Sequence, residues 1–108
     1  MSEQRGTMIV QTAFLRCLPE RADALAAALS RVAAVALRDE PGTVDYMVLR
    51  GPAGEETVLF STIECFTSEQ GMTDHNTSDA VAAFFEQAGP LLSDAPVVIV
   101  NSVVPPAT

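Results

Sequence analysis

The chain contains no lysine and no tryptophan. Its 6 basic residues are all arginines, scattered singly against 14 acidic side chains, and the formal net charge is −8. Phosphate backbones are held by clustered Lys and Arg, so this balance argues against a nucleic-acid partner. No run of about 18 apolar residues occurs, so no membrane-spanning helix is expected. Residues 1–7 are polar and lack the apolar stretch of a secretory signal, which suggests a cytoplasmic protein. The two cysteines, Cys17 and Cys65, lack metal-ligand spacing and read as small buried hydrophobes. A Gly-x-Ser-x-Gly elbow, a Gly-rich phosphate loop and a flavin or nicotinamide fingerprint are all missing. With one histidine and no carboxylate cluster in the sequence, neither a metal nor a cofactor is expected.

What is present is a strongly apolar chain, 48% hydrophobic and 19% charged, of the length of one domain. The hydrophobic pattern spans residues 8–104, between an N-terminal tail of residues 1–7 and a C-terminal tail of residues 105–108. Met8–Leu18 reads as a strand with Ile9, Gln11, Ala13, Leu15 and Cys17 on one face and Val10, Thr12 and Phe14 on the other. Pro19–Arg38 reads as a helix, with Pro19 at its start and Ala22, Leu25, Ala26, Leu29, Val32, Ala33, Ala36 and Leu37 on one face. Asp39-Glu40-Pro41-Gly42 ends it with a turn. Thr43–Arg50 and Glu55–Phe66 form a hairpin around Gly51–Gly54.

Thr67-Ser68-Glu69-Gln70 has the Thr-x-x-Gln form of a capping box opening a short helix to about Asp74. Asn76–Asp79 caps another helix that buries Val81, Phe84, Phe85, Ala88 and Leu91. Thr67–Ser78, with few large apolar anchors, reads as an adjustable lid carrying His75 in a linker. Pro96–Val104 is the last strand. The order β-α-β-β-α-β predicts an α+β, ferredoxin-like fold with an antiparallel sheet and helices on one face. Both faces of the first and last strands are apolar, so a second copy of the sheet is the simplest cover and a homodimer is expected.

Arg38-Asp39-Glu40-Pro41-Gly42, Tyr46, Val48-Leu49-Arg50, Glu64, Phe66, Asp74-His75-Asn76-Thr77-Ser78 and Phe84 follow one another in a characteristic order. In this the chain resembles the antibiotic biosynthesis monooxygenase family of dimeric α+β barrels, over roughly residues 8–104. The resemblance implies a pocket between sheet and helices that takes a small aromatic or carbonyl substrate. It also implies, for several members, oxidation of phenolic or quinol-like aromatics by O2 without metal or flavin. Other members isomerise small molecules or degrade haem. The haem-degrading branch uses an Asn, a Trp and a His, which by register fall on Ala13, His75 and Phe85 and match none of them.

His75 is the candidate base, since its ordinary pKa of about 6.5 suits proton transfer near neutrality. The simpler reading is a capping histidine beside Asp74. Glu64, between Thr62 and Phe66 on one strand face, is a second candidate acid or base, or one half of an ion pair with Arg16. Tyr46, sharing a face with Val44, Val48 and Arg50, could hydrogen-bond a substrate oxygen or simply pack. Phe66, Phe84, Phe85, Thr62 and Asn76 complete the candidate substrate-binding set, Asn76 having a helix cap as its plainer role. Of Phe60, Phe66, Phe84 and Phe85, two are expected to touch a ligand.

Overall fold

The computed structural model describes residues 8–52, 54 and 56–107. The expected N-terminal tail, residues 1–7, therefore lies outside the described residues, as do Ala53, Glu55 and Thr108. The order is β1 (Ile9–Cys17), a 3-10 turn (Pro19–Arg21), α1 (Ala22–Asp39), β2 (Thr43–Arg50), β3 (Val58–Phe66), α2 (Glu69–Asn76), α3 (Asp79–Ala88), a second 3-10 turn (Gly89–Leu91) and β4 (Val97–Ser102). The four strands make one antiparallel sheet in the order β2-β3-β1-β4. This is the ferredoxin-like arrangement that the element order predicts.

Period-two alternation decides which sheet face meets the helices. On β3, Val58, Phe60, Thr62, Glu64 and Phe66 are buried, while the intervening residues are exposed or half-buried. Gln11, Leu15 and Cys17 do the same on β1. Against them α1 lays Ala22, Leu25, Ala28, Leu29, Val32 and Ala36, and α3 lays Phe84 and Ala88. Leu37, expected on the buried stripe, is instead 49% exposed, while Ala36 beside it is fully buried. Pro19 opens a single 3-10 turn, not α1 itself, and Arg21 fixes that turn by donating to the Pro90 carbonyl at 2.8 Å.

Three local corrections shape the site. A β-bulge at Val44 separates Thr43, paired with Phe66, from Asp45, paired with Cys65. It turns Val44 to solvent, so Tyr46 shares its face with Val48 and not with Val44. The cap of α2 is Ser68, whose hydroxyl accepts from Gly71 N at 3.1 Å; the Thr67 capping box does not form. Finally, α2 runs to Asn76, so His75 lies in its last turn and not in a linker. Ser78 caps α3 by accepting from Val81 N.

Helix α2 is seated against the turn between α1 and β2. Thr67 N donates to Gly42 O at 2.9 Å, and a Cβ on Gly42 would stand 2.7 Å from Gly71 Cα. Only two glycines allow backbones to approach so closely. This contact clamps α2 against the turn between α1 and β2.

Outside this core, β4 is an edge strand whose residues stay exposed on both faces, with Val97, Val98, Ile99 and Val100 at 45–57%. The sheet face away from the helices carries a row running Leu49, Ser61, Phe14, Val97 across all four strands. Cys17 and Cys65 are free thiols on opposite sheet faces. Burial pushes both thiols above their ordinary pKa, which fits inert packing residues.

Candidate active site

One row of the helix-facing sheet surface carries the site. Tyr46 on β2 pairs with Glu64 on β3, Glu64 with Gln11 on β1, and Gln11 with Val100 on β4. The next row aligns Val48 with Thr62 and Ala13 with Val98. Between this surface and the helices lies a cavity of about 230 Å³. Its walls are apolar, from Leu15, Leu29, Val32, Val81, Phe84 and Val98 among others, and its polar end is formed by Gln11, Tyr46, Thr62, Glu64, His75 and Asn76.

Glu64 is 3% exposed and fully engaged. Its Oε1 accepts from Gln11 Nε2 at 2.9 Å and lies 3.3 Å from His75 Nε2. Its Oε2 accepts from Thr62 Oγ1 at 2.5 Å. Thr62 Oγ1 in turn accepts from Ala13 N at 3.1 Å, which leaves its proton free to point at Glu64. The β1–β3 pairing is interrupted at that point, at Thr12 and Ala13, and resumes in the same register at Phe14. The ladder thus gives up a main-chain donor to hold the hydroxyl that holds Glu64.

His75 is 2% exposed, and both of its ring nitrogens face carboxylates. Nδ1 lies 2.8 Å from Oε1 of Glu40, and Nε2 faces Glu64. A carboxylate offers only lone pairs, so the doubly protonated ring satisfies both partners at once. Burial works against the charged ring, but the carboxylates of Glu64 and Glu40 outweigh it and raise the pKa above the ordinary histidine value. Tyr46 and Phe66 stand beside the ring with centroids at 5.4 Å each. Burial, then the nearby charges of Glu64 and Glu40, pushes the Tyr46 hydroxyl far above its ordinary range, so it stays protonated as a donor.

The expected residues separate accordingly. His75, Glu64, Thr62, Tyr46, Asn76, Phe84 and Phe85 all meet at the cavity. Phe66 does not: it is fully buried behind His75 and supports the ring without lining the space. Of the four phenylalanines considered, Phe84 and Phe85 reach the cavity, packed edge to face at 5.1 Å. Arg16 is no partner for Glu64; it pairs with Leu59 near the far end of β3 and is exposed. Asn76 is not a cap. Its Nδ2 donates to Gln11 Oε1, and its Oδ1 accepts from Gln11 Nε2, both at 2.9 Å. At position 75, the candidate base, neither ring nitrogen is left without a carboxylate.

Two residues of this network were not among the candidates. Gln11 had a signal, as the polar interruption of an apolar strand face. Glu40 stood in the helix-ending turn and in the Arg38–Gly42 segment that carries the family resemblance, but nothing local pointed it at His75. Among the described residues no group of three or more His, Cys, Asp or Glu is arranged to hold a metal ion. Glu40, His75 and Glu64 form a chain with the ring in the middle. No buried side-chain polar atom among the described residues lacks a hydrogen-bond partner. A fully satisfied network of this kind is rigid and holds its charges in place.

The fold and the cavity define a ferredoxin-like α+β domain with a buried glutamate–histidine pair at one end of an apolar pocket. The profile of the antibiotic biosynthesis monooxygenase family matches residues 8–87, and the chain belongs to that family. Solved structures share the fold at low identity. A provisionally named antibiotic biosynthesis monooxygenase from Caulobacter crescentus CB15 is 24% identical, with 94% of each chain covered and a TM-score of 0.82. A like-named protein from Nitrosomonas europaea is 16% identical at a TM-score of 0.82, covering 95% of this chain and 96% of that one. Rv0793 from Mycobacterium tuberculosis is 22% identical at 0.77, covering 94% and 100%. No curated protein matches the chain.

Proposed function

We propose that this protein is a cofactor-independent monooxygenase acting on a small phenolic, quinol or anthrone-like aromatic. The observation that carries the reading is the buried Glu64–His75 pair at the polar end of an otherwise apolar cavity. A cavity of 150 Å³ is known to hold benzene, so 230 Å³ suits a ligand of about one to two rings. Phe84 and Phe85 offer aromatic faces to it.

The chemistry needs only an acceptor and a donor. Glu64 takes a proton from the activated carbon or its enol. The carbanion passes one electron to O2, and the resulting radical pair joins as a carbon–oxygen bond. The peroxide anion so formed takes a proton, and His75 is placed to supply it. Loss of the second C–H proton then breaks the O–O bond, leaving a carbonyl on the substrate and one water. Overall a CH2 group and O2 become C=O and H2O, with no external reductant. Gln11, Thr62 and Tyr46 hold Glu64 and the developing oxyanion by hydrogen bonding.

Oxygen consumption with a panel of quinols and anthrones, in chelator-treated buffer, tests this. The expected result is turnover that collapses in both Glu64→Gln and His75→Gln. Uptake that is absent, or unchanged in both variants, rules the reading out. A second reading, a non-oxidative isomerase or cyclase of a small carbonyl compound, draws on the same pair, since a proton shift beside a carbonyl needs no O2. Turnover retained without oxygen selects it. Ligand-induced thermal stabilisation with no product selects a binding protein.

We read the partner of the bare sheet face as a second copy of this chain, giving a homodimer. The row Leu49, Phe14, Val97 and the exposed Met47, Leu59 and Ile99 support that reading. Among the described residues no helix is long and apolar enough to cross a membrane.

A further inference from the structure

The two contacts of His75 are not equal. Nδ1 lies 2.8 Å from Glu40, and Nε2 lies 3.3 Å from Glu64. From this asymmetry we propose that Glu40 is a positioning residue. It holds His75 in the Nδ1–H form and leaves Nε2, on the Glu64 side, as the ring nitrogen that gives and takes the proton. The inference rests on reading Glu64 and His75 as the reacting pair.

A ring that loses one proton keeps the other on the nitrogen with the better acceptor. Glu40 is that acceptor by distance, and it is itself held. Thr43 Oγ1 donates to its Oε1 at 2.8 Å, and the main chain around it is tied by Glu40 N to Ala36 O and Thr43 N to Glu40 O, both at 3.1 Å. The ring cannot readily turn over to exchange its nitrogens, because Tyr46 and Phe66 flank it. Helix α2, which carries His75, is set against the Glu40 turn by the Gly42–Gly71 contact, one helical turn before the histidine. The distance from Glu40 to Nδ1 is therefore fixed by two backbones in contact.

The charged and titratable groups around the ring are few. Glu40 faces it from the turn after α1, Glu64 from β3 and Tyr46 from β2. From α2 itself, Asp74 is exposed and accepts from Gln70 Nε2 at 2.8 Å, away from the ring. Glu40 side-chain exposure is 15%, against 3% for Glu64, so Glu40 backs the ring from the outer side while the cavity lies on the other.

His75 is the one histidine of the sequence, so a nitrogen-15 spectrum of the whole protein reports its ring without assignment. Above the titration midpoint, the wild type should show a protonated, pyrrole-type Nδ1 and a bare, pyridine-type Nε2. The reverse pattern in the wild type overturns the proposal outright, with no variant needed. In Glu40→Gln the preference for Nδ1–H should be lost and the midpoint should fall. Oxygen uptake should drop about tenfold to a hundredfold in kcat, the range expected for one charge-assisted hydrogen bond, with KM unchanged. Glu40→Asp should restore part of it. A purely structural role would lower thermal stability and leave tautomer and midpoint where they were, which also counts against the proposal. If Glu40→Gln fails to fold, Thr43→Val, which frees the Glu40 carboxylate from its anchor, should weaken the same tautomer signature. The spectra need no turnover. Nδ1–H in a protein that consumes no oxygen keeps this inference and loses the proposed function, and Nε2–H in an active protein does the opposite.

Discussion

Oε1 of Glu64 lies 3.3 Å from Nε2 of His75, and both side chains are 3% exposed. Charges removed this far from water cost several kcal/mol each unless they are paired and hydrogen-bonded. Here the pair is held from every side, by Gln11, Thr62 and Glu40. Removing any one member leaves another buried group unmatched, and this governs the predictions that follow.

Stability should fall as pH rises through the titration of His75. The ring pKa is raised on folding, so folding favours the charged ring. Its contribution is fully present below the unfolded value of about 6.5 and is lost as pH rises through the higher folded value. Melting temperatures taken from pH 6 upward should decline over that window in the wild type. His75→Gln should be less stable at pH 6 and show a flatter profile. A wild-type profile that instead rises across this window contradicts the assignment of a charged ring.

Thr62→Val removes the donor to Glu64 and the acceptor of Ala13 N while keeping side-chain shape. Two buried groups lose a partner, so the loss should be about 2–5 kcal/mol. Urea denaturation with an unchanged m-value would report it as a shift of midpoint alone.

Gly42→Ala should destabilise more than Gly71→Ala. A Cβ at position 42 meets Gly71 Cα at 2.7 Å, whereas one at position 71 meets Gly42 O at 3.0 Å. Backbone must move in either case, at about 1–3 kcal/mol, or roughly 4–20 °C in melting temperature for a chain of this size. Equal melting temperatures for wild type and Gly42→Ala would show that the clamp is soft.

Glu64→Gln keeps one acceptor atom but cannot take up the substrate proton. Under the proposed mechanism its turnover should fall about 10²- to 10⁴-fold, with ligand-induced thermal shifts retained. Loss of ligand binding together with activity would make Glu64 a binding residue only.

Light scattering at micromolar concentration should give about twice the chain mass of 11.4 kDa. A stable interface of this kind buries roughly 1,000 Å² or more. Ile99→Asp places a charge on its exposed outer surface and should shift the equilibrium to monomer. A wild type that stays monomeric leaves Leu49, Met47, Val97 and Ile99 in need of another explanation.

The sequence by itself determined the layers of this protein. Alternation along Val58, Phe60, Thr62, Glu64 and Phe66 names the buried face of β3 and puts Glu64 on it. The spacing of Leu25, Leu29, Val32 and Ala36 gives the packed stripe of α1. These are local periodicities, set by backbone geometry within a few residues. The pocket between sheet and helices was implied by the family resemblance, with His75, Phe84 and Phe85 among its candidate residues.

Only the tertiary structure decided what the histidine touches. Glu40 is 35 residues from His75, Gln11 is 53 from Glu64, and Gln11 is 65 from Asn76. No period in the chain records such pairings. They depend on the β-bulge at Val44, on α2 extending through Asn76, and on two glycines letting a helix and a turn touch. Each is a matter of ångströms, set by packing and not by pattern. That is why the residue types at the site could be read from the sequence, while the protonation of the ring and its second carboxylate could not.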